Sequence, residues 1–500
     1  MSPGQMQSPV TNGELPLAPG GNSAVRAGDC QFSPKAADEQ FSPHRGMRAL
    51  GTDSLIIALL SPWVFLMSES AQKVLLAVVI LDIPIQFGTH LFYHETNALM
   101  GALGGWNLSA TTIALTGLYV SWLVRILTKR DSKARAPLHM NFSLLLYLST
   151  MVISMAVAQD AGLAFFEVFL VAQSCLVYFY VANAIRTRRD VTFVVYMLLT
   201  GCLLESIVMI AIRLFVTPTT AWDGPIHINA DLAPLAGTMR IGGTVGSHNA
   251  AAAYLSILLA LAIGLFLTQI KIAGKWLAVA VLASGSIALI LTFSRGGWIA
   301  LAVAIALVSF FTWRRRRNSL KILTAALVIL TIVYLPFHNL ISSRILGDDK
   351  GSAESRIPLD KLAFRMIADH PILGIGANNF TVVMDRYLTS EFRSEWLYTV
   401  HNTYLLVWTE TGIFGLLAYL AFLLGTLRKG WQCWNFGDPW LSPLALAFMA
   451  GIAGHMLHQG VDIFTDRPIQ QLLWLIAGLL AAMHRICKED QRRNSALSLA

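Results

Sequence analysis

From about Ser54 to the C-terminus the chain is a succession of apolar runs near 20 residues long, separated by short polar loops. A run of that length crosses the hydrocarbon core of a bilayer as a helix, and inside lipid a helix satisfies every backbone polar group. The composition agrees with that constraint. Of 500 residues, 55% are hydrophobic and 13% charged, where a soluble domain carries about a quarter charged. The expected fold class is therefore an all-α polytopic membrane protein. Candidate spans are 54–68, 72–90, 107–128, 140–157, 162–185, 192–215, 244–268, 275–294, 297–313, 319–337, 402–426, 441–459 and 468–486. Because the first two are short, the expectation is about 12–13 transmembrane helices.

The loops fix an orientation. Arg125 to Arg135, Arg186 to Arg189, Lys271 to Lys275, Arg314 to Arg317, Arg428-Lys429 and the tail around Arg485 and Arg492-Arg493 fall on one side when the spans alternate. Excess Lys and Arg in short loops marks the cytoplasmic side. The net charge of +8 is thus explained by orientation, and no nucleic-acid partner is expected. The other side receives 91–106, 158–161, 217–243, 295–296, 338–400 and 460–467. At the N-terminus the count conflicts: His44-Arg45 and Arg48 favour an inside tail, whereas 13 spans place it outside. Either one of the first two runs is re-entrant or the pair forms one bent span.

The expected organisation follows. Residues 1–46, rich in Pro, Gly, Ser and Asn without periodicity, form a disordered tail. No signal-peptide pattern opens the chain. A transmembrane bundle over 47–337 includes the outer loop 217–243. A large external loop covers 338–400, C-terminal spans 401–486, and a cytoplasmic tail 487–500. The five cysteines show no C-x-x-C spacing, so neither a disulfide framework nor a metal site is expected.

The large loop holds a helix of its own. Ser355 is placed to cap it, Pro358 fits its first turn, and Pro371, Gly374 and Gly376 stop it. Leu359, Leu362, Ala363, Met366 and Ile367 recur at i, i+3, i+4, i+7 and i+8, which makes it amphipathic, with Arg356 at its start. Such a helix lies on the membrane surface or packs over a cleft. With seven Lys/Arg against eight Asp/Glu, the loop is not a simple basic patch.

Six pieces of sequence, in order, carry a resemblance: Arg240-Ile-Gly-Gly-Thr-Val-Gly-Ser-His-Asn249, Ser294-Arg-Gly-Gly297, Glu354-Ser-Arg356, Asp369-His-Pro-Ile-Leu-Gly-Ile-Gly376, His401-Asn-Thr-Tyr-Leu405 and Glu410-Thr-Gly-Ile-Phe-Gly415. Together, over roughly residues 235–425, they resemble the O-antigen ligase and O-antigen polymerase superfamily of bacterial membrane glycosyltransferases. The resemblance implies a metal-independent enzyme of the inner membrane, without cofactor, acting on the periplasmic or external side. Its donor would be an undecaprenyl-diphosphate-linked oligosaccharide. Its acceptor would be a glycan or lipid-core hydroxyl, or a protein serine. Membrane lipid and, for a polymerase, a chain-length regulator complete the implied partners. By the same resemblance Arg240 and Arg356 match the family's loop arginines and His401 the histidine heading the next span. Asp360 stands where the family often has tryptophan.

The chemistry of the residues fits that assignment. A diphosphate leaving group needs fixed positive charge, and guanidinium groups hold phosphate oxygens bidentately. Arg240 and Arg356 are the expected diphosphate ligands. Arg295, in a two-residue outward turn, either joins them or closes a helix end. His401 is the expected catalytic base, or else an imidazolium partner of phosphate. His248, beside Asn249, is expected to pack or hydrogen-bond within the bundle. His455 and His458 lie one turn apart near Asp462, too loose a set for a metal. Glu167 and Glu205 lie inside spans, where ionisable groups are costly and often functional. They are the argument for the rival reading, a transporter or flippase of lipid-linked sugars, although no internal repeat supports it.

Overall fold

The computed structural model describes residues 68–127, 138–215, 222–223, 227–232, 239–268, 272–315, 324, 327–328, 331–332, 335–346, 356–389 and 397–499, all within the unit Ser61–Ala500. The expected tail 1–46, all of the expected span 54–68 but Ser68, most of 319–337 and the expected helix cap Ser355 lie outside the described residues. The main helices are α1 (Glu69–Ile85), α2 (Ala110–Leu127), α3 (Phe142–Ser154), α4 (Ala161–Ala184), α5 (Arg188–Phe215), α6 (His248–Phe266), α7 (Ile272–Leu291), α8 (Arg295–Arg315), α9 (Arg356–Asp369), α10 (Thr403–Asn435), α11 (Leu441–Gln459) and α12 (Arg467–Leu499). Among the described residues nine helices are long and apolar enough to cross a membrane, which makes this an all-α polytopic membrane protein.

Side-chain caps set where several of these helices begin. Ser68, Asp160, Ser247 and Asn402 each accept hydrogen bonds from the first turn of α1, α4, α6 and α10. Apolar residues on all sides push α6 and α12 into the middle of the bundle, where 89% of each apolar window is buried against 28% for α2. Helix α12 packs along α4, while α11 fills the space between α6, α8 and α10. The helix α12 also runs on through the segment expected as a tail, reaching Leu499, because Lys488, Glu489, Gln491, Arg492 and Arg493 are strong helix formers.

Two small antiparallel sheets decorate the loops. Strand β1 (Gly88–Leu91) pairs with β2 (Trp106–Ser109), and β3 (Trp222–Asp223), β4 (His227–Leu232) and β5 (Met239–Gly243) form a second sheet. The loops expected to share one side do meet at one end of the bundle. Leu103 donates to Asn378, Asp160 to Asn379, and Thr403 to the Asp462 carbonyl. The basic loops meet at the other end, where Arg188 pairs with Asp438 and Asp490, and Arg485 holds the Ala182 and Ile185 carbonyls.

The amphipathic helix of the large loop is α9, and its five expected apolar positions are its buried ones. The chain leaving it docks into a break in α10. Ile375 donates to the Thr409 carbonyl, Gly376 to that of Glu410, and Ile413 back to that of Pro371. The break is at Gly412, whose φ of 72° and contact with the Ile372 carbonyl leave no room for a side chain. Two of the six sequence pieces, Asp369–Gly376 and Glu410–Gly415, are therefore mates in space.

Candidate functional site

Arg240 sits on β5, and two partners hold the end of that strand in place. The Glu205 carboxylate accepts from both the backbone and hydroxyl of Thr244. Gln86, at the end of α1, donates to the Thr244 and Val245 carbonyls. The Arg240 guanidinium then reaches across to the turn between α7 and α8, bonding the Thr292 carbonyl at 3.1 Å and lying 3.5 Å from that of Phe293. It also donates to Asn249 at 3.4 Å. That turn delivers Arg295 at the first position of α8.

The next residue explains its own glycine. A Cβ on Gly296 would collide with the His458 ring, so α8 and the end of α11 approach to ring-on-backbone contact. His458 and His455 are buried and both set ring edges against Phe464, at 4.7 and 4.8 Å. Among the described residues no group of three or more His, Cys, Asp or Glu is arranged to hold a metal ion.

Arg356 opens α9 and donates to the Val461 carbonyl at 2.6 Å. The 460–466 loop that it grips is fixed from below by Thr403, whose backbone and hydroxyl both donate to the Asp462 carbonyl. Asp462 is buried, and burial pushes its carboxyl up to about 6, against the opposing pull of Arg356, the Ile463 N–H and Arg240. Asp466 beside it is raised to about 7 by burial and by Asp462. Both arginines thus act electrostatically on one buried carboxyl.

His401 lies just before α10. Thr399 bonds the Met100 carbonyl twice, which pins the segment leading to His401. Its Nδ1 lies 3.1 Å from the Thr399 carbonyl, which assigns the proton to Nδ1 and leaves Nε2 as an acceptor. Burial lowers its pKa to about 4, with further lowering by the charges of Arg356 and His248 and partial opposition from the Thr399 carbonyl. The ring is therefore neutral at pH 7. Tyr398 packs on it at 5.2 Å between ring centroids.

The structure brings Arg240, Arg295, Arg356 and His401 to one end of the bundle. His248, expected to pack or hydrogen-bond within the bundle, is close enough to act electrostatically on His401. His458 and Asp462 were noticed in the sequence only as a weak metal set. Their signal was depth, since the last turn of α11 must sit level with the large loop. Asp466 had no signal. The carboxylates inside spans have local partners: Glu205 holds Thr244, and Glu167 hydrogen-bonds with Glu410, which also accepts from the Phe380 N–H.

Residues 278–420 match the family model described as O-antigen ligase. Arg295, Arg356 and His401 fall inside the match and Arg240 lies upstream of it. No curated protein matches the chain. A chain from the structure described as "Structural coordination of polymerization and crosslinking by a peptidoglycan synthase complex" aligns at 18% identity over 69% of this chain and 98% of that chain, with a TM-score of 0.35.

Proposed function

Starting from the O-antigen ligase match over residues 278–420, which supports the O-antigen ligase and polymerase superfamily for this chain, we propose that it is a membrane glycosyltransferase of surface polysaccharide biosynthesis. It transfers an undecaprenyl-diphosphate-linked glycan to an acceptor hydroxyl, on the periplasmic face of a bacterial inner membrane. The observation that carries this reading is the convergence of Arg240, Arg356 and a neutral His401 around the 460–466 loop.

The acceptor oxygen attacks the anomeric carbon while the bond from that carbon to the diphosphate oxygen breaks. The hydroxyl proton passes to Nε2 of His401. Negative charge grows on the departing polyprenyl diphosphate, where Arg356 and Arg240 stabilise it, with Arg295 as a third cation. Fixed donors aimed at developing charge lower a barrier more than they strengthen substrate binding. A single in-line displacement inverts the anomeric centre. The donor carries its own activation, so neither nucleotide nor metal enters the step.

The test uses the purified full-length protein with synthetic polyprenyl-diphosphate glycan, chelator present and nucleotide absent. It is offered in turn a lipid-linked repeat, a lipid-core sugar or a serine peptide as acceptor. Product with one acceptor supports the reading and identifies the acceptor class. No product with any acceptor, combined with movement of labelled donor across vesicles, overturns it in favour of transport.

A further inference from the structure

A second charged cavity lies far from this site. Helix α4 begins at Asp160, which bonds Asn379 at the site end, and its 24 residues carry the chain about 36 Å to Ala184. There, between α1, α2, α4 and the start of α5, is a cavity of about 390 Å³. Its walls carry Lys73, Arg125, Arg186 and Arg189 against only two carboxylates, Glu69 and Asp190. Asp190 is occupied within the protein. It accepts from the Arg186 and Thr187 N–H groups and from the Thr187 hydroxyl, closing the turn that presents the arginines. Arg186 is braced in turn on the Asn183 carbonyl at 3.1 Å. Four cations therefore line the wall against two carboxylates, and Arg186 among them is held in place.

The rest of the wall is amphipathic. Trp122 and Tyr180 meet edge to face at 6.3 Å, with Tyr119 packed against both. Such rings concentrate at the headgroup level of a bilayer. On the helices flanking the cavity, Val74 and Leu123 are 54% and 55% exposed, so the cavity opens beside lipid-facing surface. The sequence beyond α2 continues with Lys129, Arg130, Lys133 and Arg135.

We infer that this cavity binds the phosphate headgroup of an anionic glycerophospholipid in the leaflet opposite the candidate active site. Cations over an aromatic rim suit a phosphodiester whose acyl chains lie along the apolar flanks of α1 and α2. The volume suits a headgroup and is too small for a folded partner. A soluble phosphate would share the cations but gain nothing from the lipid-exposed walls.

The full-length protein in nanodiscs of mixed phosphatidylglycerol and phosphatidylcholine, examined by native mass spectrometry, tests this. Phosphatidylglycerol should be retained selectively, and Lys73→Gln or Arg189→Gln should each lower retention about five-fold. Both side chains are exposed, so folding should survive, and an unchanged melting temperature checks it. Arg213→Gln, at the other end of α5, should leave retention as in the parent. Equal retention of both lipids, or retention unaffected by both substitutions, overturns the inference. Displacement of the lipid by millimolar inorganic phosphate would reassign the site to a soluble anion and overturn it also.

Discussion

Replacing Arg356 by lysine keeps the charge and removes the planar fork. One Nη of Arg356 is committed to the Val461 carbonyl at 2.6 Å, which fixes the guanidinium at the mouth of the 460–466 loop; in the proposed mechanism its other N–H groups would meet the diphosphate. Lysine carries a single nitrogen, so it must choose between the carbonyl and a phosphate oxygen. The loss is one charge-assisted hydrogen bond, about 1.5–3 kcal/mol, and therefore about 10- to 150-fold in kcat/KM for glycan transfer. The fall should appear mainly in kcat, because the interaction strengthens as the diphosphate departs. Arg365→Lys on the same helix is the control, since Arg365 tethers Tyr387 and Thr389 within the large loop. Initial rates with synthetic donor and acceptor, at matched protein and unchanged melting temperature, give the comparison. Equal rates for Arg356→Lys and Arg365→Lys would refute the clamp.

Three further outcomes follow from the same geometry. Because burial and Arg356 lower the His401 pKa to about 4, the ring is neutral above that value, so kcat/KM should hold down to about pH 5 and fall below it. In Arg356→Gln the acid limb should move upward toward the ordinary histidine value, and an unmoved limb in a pH–rate profile would remove His401 from the step. With Cys30 changed to serine and the four described cysteines buried, a cysteine at Asp385 should react with an impermeant thiol reagent in intact cells while one at Thr187 should not; reversed labelling would invert the topology. Gly412→Ala must hold a left-handed φ against the Ile372 carbonyl, at a cost of about 1–3 kcal/mol. It should free the large loop to proteolysis, and unchanged cleavage would sink the docking argument.

What could be read from the sequence was whatever rests on local periodicity. The apolar runs predicted the spans, and the spacing of Leu359 to Ile367 predicted both α9 and its buried face, because a helix repeats every 3.6 residues wherever it lies. The ends were harder. Helix α5 starts at Arg188 and α12 reaches Leu499, since charged residues outside the lipid still favour helix and hydropathy is blind to them. The sheet β3–β5 was hidden in a polar loop because its strands are short, two to six residues each. Burial cost flagged Glu205, but only the fold reveals that its partner is Thr244, 39 residues away. That bond makes Glu205 a brace for the strand that carries Arg240.

The site itself is a meeting of helix ends and loops, and that explains its division of labour. Arg356 is carried by a short helix whose attachment runs through the Pro371–Gly376 segment and the Gly412 break in α10. His401 stands at the other end of that same upper stretch of α10, so a shift of the large loop moves both together. Arg240 belongs to a separate unit, held by α1, α5 and the α7–α8 turn. The two units meet over Asp462, whose backbone is tied to α10 and whose carboxyl feels both arginines. A donor diphosphate bridging Arg240 and Arg356 would therefore draw the loop unit onto the bundle unit. On this reading Thr403→Val, which removes the hydroxyl's bond to the Asp462 carbonyl and the acceptor of the Phe464 N–H, should loosen that junction without touching either arginine. The expected result is a rise of a few-fold in donor KM from the loss of about 1 kcal/mol, with kcat nearly unchanged. A fall in kcat at constant KM would mean that the junction serves the chemical step instead of donor capture.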